Sequence, residues 1–202
     1  MLWLHLSAMN IGPDTRVLHI APERGIFKKL QSRITPENYH FADLFPELFK
    51  FAKGCRKIDL TDLDHWPSQE YDLIIHSHVL EHIPCNLAYP VYHLHRMLKP
   101  TGKHVFIVPF MPGKYAENFQ DISEEERVRT LSQKDHVRRF GREDVPTHLG
   151  SILDLPENWS AERTVGAEQL RAANIPEREW NGFTGCSVMV LDRDAMKFLG
   201  RG

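Results

Sequence analysis

Cysteine is scarce in this chain of 202 residues: Cys55, Cys85 and Cys186 are odd in number, widely spaced, and form no C-x-x-C pair. That argues against a disulfide framework or a cysteine-based zinc site and fits a reducing compartment. Long apolar runs are missing. None approaches the ~18 residues of a membrane span. The start, Met1-Leu2-Trp3-Leu4-His5-Leu6, lacks the basic n-region and apolar stretch of a signal peptide. A cytoplasmic protein without a membrane partner is expected. Charge of one sign is lacking as well. With 25 Lys+Arg against 27 Asp+Glu the net charge is −2, too weak a field to suggest a nucleic-acid partner. Glycine (12) and proline (13) are near average usage, which excludes collagen-like and low-complexity classes.

What is present is ordinary for a globular domain: 42% apolar and 26% charged residues. At about 150 residues per domain, the length predicts one domain over 1–202. Only histidine stands out. Protonating all 12 would carry the net charge from −2 to +10, a change centred near pH 6.5.

Short β-rich runs alternate with helical periodicity. Strands are expected at Arg16–Ala21, Tyr39–Asp43, Arg56–Leu60, Tyr71–His76, Lys103–Pro109 and Cys186–Asp192, with a weaker one near Arg163–Val165. Helices are expected over Glu23–Gln31, with Ile26, Phe27 and Leu30 on one face, and over Asn86–Leu98. Leu87, Val91, Leu94 and Leu98 form one buried stripe on the second. His93 and His95 would then lie on its solvated face. Alternating strands and helices with apolar central strands predict an α/β fold, a mostly parallel sheet with helices on both faces. After Pro109 the rhythm breaks. Residues 110–141 are polar and too long for an ordinary connection. Ser123-Glu-Glu-Glu126 starts a capping box for a helix through Leu131, and another helix is expected over Asp144–Asp154.

Val79-Leu80-Glu81-His82-Ile83, the turn Arg96-Met97-Leu98-Lys99-Pro100-Thr101-Gly102, and Tyr71-Asp72-Leu73-Ile74-Ile75 occur in order over about 30 residues. Together they resemble the class I S-adenosylmethionine-dependent methyltransferases, in particular the small-molecule group with a V-L-E-H-I segment. The resemblance implies a Rossmann-like sheet of seven strands with the last antiparallel. It also implies S-adenosylmethionine as cofactor and methyl transfer to a small acceptor. Relatives of this kind often begin earlier than Met1, so a shortened start is one expectation.

The family's glycine-rich loop reads here Val17-Leu-His-Ile-Ala-Pro-Glu-Arg-Gly25, retaining only Gly25. A dinucleotide site needs several glycines and backbone N–H donors for its pyrophosphate. Pro22 has no N–H, so phosphate cradling is disfavoured, and S-adenosylmethionine has no phosphate. Its ribose hydroxyls suit Asp43, with Leu44 following. Its adenine amino group suits Asp59, with Leu60 packing the ring. His19, Ala21, Glu23 and Gly25 would line the amino-acid end, and His76 and Ser77 the sulfur end. Asp43 and Asp59 could instead simply begin turns, where Asp is common.

His76-Ser-His-Val-Leu-Glu-His82 is the densest chemical cluster. His76, His78 and His82 would serve a metal-dependent hydrolase, the rival reading. The spacing does not match known hydrolase sites, and no metal is assigned. A non-catalytic binding module with the same fold is the other rival, motivated by the eroded glycine loop. The segment Gln133-Lys-Asp-His-Val-Arg-Arg-Phe-Gly141 resembles one in bacterial methyltransferases of the same group, some linked with glycan or secondary metabolism. It lies in an insertion over about 110–141 that would cover the cleft. His136 is the first candidate for a general base, then His82. Arg138 and Arg139 are candidates for binding a polar acceptor, a sugar or glycan intermediate first. An exposed loop of salt bridges would account for the same residues.

Overall fold

The computed structural model describes residues 1–199. Helix α1 (Leu2–Ser7) leads to β1 (Val17–Ile20), α2 (Arg24–Gln31), β2 (Tyr39–Asp43), β3 (Arg56–Lys57) and β4 (Tyr71–Ser77). A single tight turn, Leu80–His82, precedes α3 (Ala88–Met97), which runs directly into β5 (Leu98–Ile107). Then come β6 (Phe110–Met111), β7 (Ala116–Glu117), α4 (Glu124–Leu131) and β8 (Arg138–Gly141). Short helices α5 (Leu149–Ile152), α6 (Ala161–Thr164) and α7 (Ala167–Ala172) lead to the last strand, β9 (Val188–Asp192).

The main sheet has the order β3-β2-β1-β4-β5-β9. Strands β1 to β5 pair in parallel, and β9 runs antiparallel to β5, Lys103 opposite Asp192 through Ile107 opposite Val188. Both faces are buried because successive apolar residues point to opposite sides. Val17, Leu73, Ile75 and Val105 meet Phe27 and Leu30 of α2 on one face. Leu18, Ile20 and Ile74 meet Leu94 and Met97 of α3 on the other. Each such side chain, fully buried, contributes about 1.5–3 kcal/mol. The strand order reverses between β1 and β4, which opens a crevice at their carboxyl ends.

Several expectations change. The sheet has six strands rather than seven among the described residues. Arg163–Val165 is not a strand: Ser160 Oγ accepts from the Arg163 amide at 3.2 Å and starts α6 instead. Regular helix within Asp144–Asp154 is confined to Leu149–Ile152. The strand expected over Arg56–Leu60 is only two residues long. Strand β5 begins at Leu98, before the Pro100-Thr101-Gly102 stretch, and absorbs it where its register against β4 shifts. A Cβ at Gly102 would stand 2.8 Å from the Tyr71 carbonyl oxygen, so only glycine fits. The stripe on α3 is buried as read, but His93 and His95 are buried too, not solvated. The cap expected at Ser123 forms, its Oγ accepting from the Glu126 amide at 3.2 Å, but the Glu126 carboxylate turns to Arg129 instead of completing the box.

Residues 110–141 are not merely a loop. Strands β6, β8 and β7 form a small second sheet, and Phe110 and Phe140 join a core with Leu149, Trp159 and Trp180. No helix among the described residues is long and apolar enough to cross a membrane.

Candidate functional site

A cleft of about 440 Å³ lies where β1, β2 and β4 end, within the range of pockets for small ligands. Its walls include Ala21 after β1, Asp43 and Leu44 at the end of β2, Asp59 and Leu60 after β3, and His78 and His82 after β4. Asp135 closes it from the 110–141 segment. Phe45, Thr61, Val79, Ile83 and Pro84 also line it and were not anticipated. Their signal was positional: each directly follows a strand end or a residue already singled out.

Two lining residues have left-handed backbone, Ala21 (φ 49°) and His78 (φ 53°). Such conformations cost a non-glycine residue on the order of 1 kcal/mol or more and concentrate at functional sites. Ala21 begins the loop that follows β1.

The two aspartates differ electrostatically. Burial raises the Asp43 carboxyl, although its Oδ1 accepts from the Phe45 amide at 2.8 Å. Asp59 is held below the usual carboxylate range by the Thr61 hydroxyl and amide, which donate to its Oδ1 at 2.7 and 2.9 Å. In both, these hydrogen bonds engage Oδ1 alone.

Glu23, just past β1, is tethered from the core. Its Oε2 accepts from His19 Nε2 at 3.0 Å, and the other imidazole nitrogen lies 2.8 Å from the Tyr39 hydroxyl. Burial raises the Glu23 carboxyl, but the His19 hydrogen bond and charge, with the Glu23 amide and Ser77, outweigh it and bring the group below its ordinary value. His19 itself is fully buried. Gly25 has open space around its Cα, so no close contact requires glycine there.

His76 does not reach the cleft. It is fully buried, and its Nε2 lies 2.9 Å from His104 Nε2. His104 Nδ1 lies 3.1 Å from His95 Nε2, and His95 Nδ1 donates to the Arg193 carbonyl at 2.9 Å. That terminal carbonyl can only accept, so it sets every tautomer: each ring donates once toward Arg193, and His76 Nδ1 is left without a partner. Burial pushes His76 down to about 3 and His95 to about 4, and His104 well below its ordinary value. His76, His78 and His82 therefore do not converge on a metal.

The segment around His136 is fastened to the turn at Leu80–His82. The Val137 amide donates to the Glu81 carbonyl at 2.9 Å, and His82 Nδ1 donates to the Asp135 carbonyl at 3.1 Å. Arg138 is fully buried and donates to the Leu80 and Cys85 carbonyls, each at 2.6 Å. It thus lies beneath the cleft rather than on its wall. Arg139 donates to the Lys114 carbonyl at 3.1 Å and does not line the cleft either. His136 is buried, with its ring edge-on to His82 at 4.9 Å. The two motifs, 53 residues apart, thus form one unit. Glu81 is its least expected member: its side chain is 1% exposed and neither carboxylate oxygen has a hydrogen-bond partner.

The S-adenosylmethionine dependent methyltransferase from Mesorhizobium loti is similar over nearly its whole length. Its TM-score is 0.56 at 14% identity, covering 93% of this chain and 94% of that one. The YcgJ protein from Bacillus subtilis gives a TM-score of 0.52 at 15% identity, covering 88% and 78%. The likeness to trans-methyltransferase CalH is partial. At a TM-score of 0.40 and 20% identity it covers 55% of this chain, which spans only 36% of CalH. No family model and no curated protein matches the chain. At these identities the likeness establishes architecture: the chain has the fold of the class I S-adenosylmethionine-dependent methyltransferases.

Proposed function

We propose that this protein is an S-adenosylmethionine-dependent methyltransferase acting on a polar small-molecule acceptor, with a sugar or sugar-linked intermediate first. The observation that carries the reading is the cleft itself: Asp43 and Asp59, from the ends of neighbouring parallel strands, share its wall with Ala21, Leu44 and Leu60. The donor set suits this cofactor, with carboxylate acceptors for hydroxyl and amino groups, apolar surface for a ring, and no phosphate cradle.

S-adenosylmethionine supplies a methyl group already activated on a sulfonium. Asp43 accepts from its ribose hydroxyls and Asp59 from its adenine amino group, while Leu44 and Leu60 pack the ring. Glu23, steadied by His19 and Tyr39, attracts the ammonium of the amino-acid end, beside Ala21 and Gly25. Ser77, with His76 packed beneath, supports the sulfur end. The remaining work is alignment and water exclusion, which the 110–141 segment assists as an insertion over the cleft. His82, with His136 against it, takes the acceptor's proton where one must leave. Arg138 serves by holding the His82 turn, and Arg139, away from the cleft wall, takes no part in acceptor binding. The setting is cytoplasmic.

Calorimetric titration tests the reading. Binding of S-adenosylmethionine and its demethylated product, without binding of NAD or ATP, supports it. Failure of the first pair to bind refutes it.

A further inference from the structure

We infer that Glu81, His82 and His136 form a binding site for a divalent transition-metal cation of the zinc type. One ligand atom from each lies within 4.8 Å of the other two. Donors about 2.0–2.1 Å from a tetrahedral zinc are roughly 3.4 Å apart, so side-chain shifts of about an ångström close the set.

Two features point to a cation. The Glu81 carboxylate is buried, yet both its oxygens lack hydrogen-bond partners. An ionised group so placed is costly unless a positive charge meets it. His78 Nδ1, 3.3 Å from Oε1, meets that oxygen in part as an ion pair and leaves Oε2 without a partner. Both imidazoles, moreover, have their orientation fixed by backbone carbonyls. His82 Nδ1 donates to the Asp135 carbonyl at 3.1 Å, and His136 Nδ1 donates to the Leu131 carbonyl at 3.2 Å. Each donation leaves the Nε2 lone pair free, the arrangement that ligating histidines show when a second partner sets their tautomer. Two imidazoles and one carboxylate favour zinc and its d-block neighbours over magnesium or calcium, which prefer all-oxygen sets.

Three protein ligands leave a coordination position open. His82 lines the cleft and Asp135 stands beside it, so that position faces the cleft. There the cation would hold an oxygen of the bound acceptor and acidify its hydroxyl, whose proton passes to solvent through the open cleft; in the metal-loaded protein this replaces the part of base given to His82 above. This last role rests on the methyl-transfer reading; the site itself does not.

The test is calorimetric titration of chelator-treated protein with zinc and, separately, magnesium, on the wild type and on Glu81→Gln, His82→Ala and His65→Ala. His65 is an exposed imidazole outside the set. Zinc is expected to bind once per chain, more than about tenfold weaker in Glu81→Gln and His82→Ala, unchanged in His65→Ala, with magnesium not binding. Circular dichroism of the metal-free variants checks their fold, and the half-exposed His82 side chain makes its removal safe. Absence of zinc binding in the wild type, or equal binding by folded His82→Ala, overturns the site. S-adenosylmethionine is titrated into the same metal-free protein, so failure of the methyl-transfer reading appears there and failure of the cation site in the zinc titration.

Discussion

Replacing Arg138 with Met removes a guanidinium that is fully buried and donates to two carbonyls at 2.6 Å. The Leu80 carbonyl is shut away from water and keeps only a long bond from the Ile83 amide at 3.5 Å, so its loss costs up to the penalty of an orphaned acceptor, about 1–3 kcal/mol. The Cys85 carbonyl lies in a partly open position and is rescued in part by solvent. Against this, the variant no longer desolvates a charge whose Nε has no partner and whose nearest carboxylate oxygen, on Glu117, is 3.8 Å away. The balance is a destabilisation of about 1–3 kcal/mol. For a chain of this length that lowers the melting temperature by about 2–12 °C. Lysine, with one ammonium, cannot reach both carbonyls in the same planar fork, so Arg138→Lys should fall between the two. Scanning calorimetry with urea unfolding measures the effect. A melting temperature unchanged in Arg138→Met, with turnover lost, would show that Arg138 touches the acceptor and that the clamp reasoning is wrong.

Asp43→Ala should weaken S-adenosylmethionine binding roughly ten- to hundredfold, the loss of about 1.5–3 kcal/mol of charged hydrogen bonding, in a folded protein; equal affinity by calorimetry removes Asp43 from the site. Glu23→Gln should weaken the same ligand by a similar factor but leave adenosine binding unchanged, which a paired titration checks. Ala21→Gly should raise the melting temperature by about 2–4 °C, because glycine adopts φ 49° without the penalty of about 1 kcal/mol; Ala21→Val should lower it. The buried chain His76–His104–His95 should make the protein acid-labile. Its folded values lie below the unfolded value of about 6.5, so the unfolded state binds more protons, and stability is lost as pH falls through 6.5 toward 4. Each imidazole that stays neutral contributes a loss of about 2 kcal/mol between pH 7 and pH 5. Urea midpoints that do not fall over that range would contradict the burial argument.

The sequence by itself determined the alternation of strands and helices through the end of β5, because period-two and period-3.6 patterns are local properties of the chain. It also placed Asp43 at the end of β2 and put Ala21, Leu44, Asp59 and Leu60 at or just past expected strand ends, which a parallel sheet brings to one edge. Tertiary structure decided whatever depended on partners distant in sequence. His95 reads as solvated from its helix position, yet Arg193 and His104 supply its hydrogen bonds from elsewhere. Arg138 reads as a free cation in a polar segment, yet the Leu80 and Cys85 carbonyls, 58 and 53 residues earlier, enclose it. The strand expected near Arg163 yields to a cap from Ser160, since its six-residue neighbourhood carries no information on whether a sheet edge is available. Glu81, inside a segment already quoted for its resemblance, became a candidate ligand only when folding buried it without a hydrogen-bond partner beside His82 and His136. Burial of a charge is a property of the assembled packing, and no local pattern in the chain encodes it.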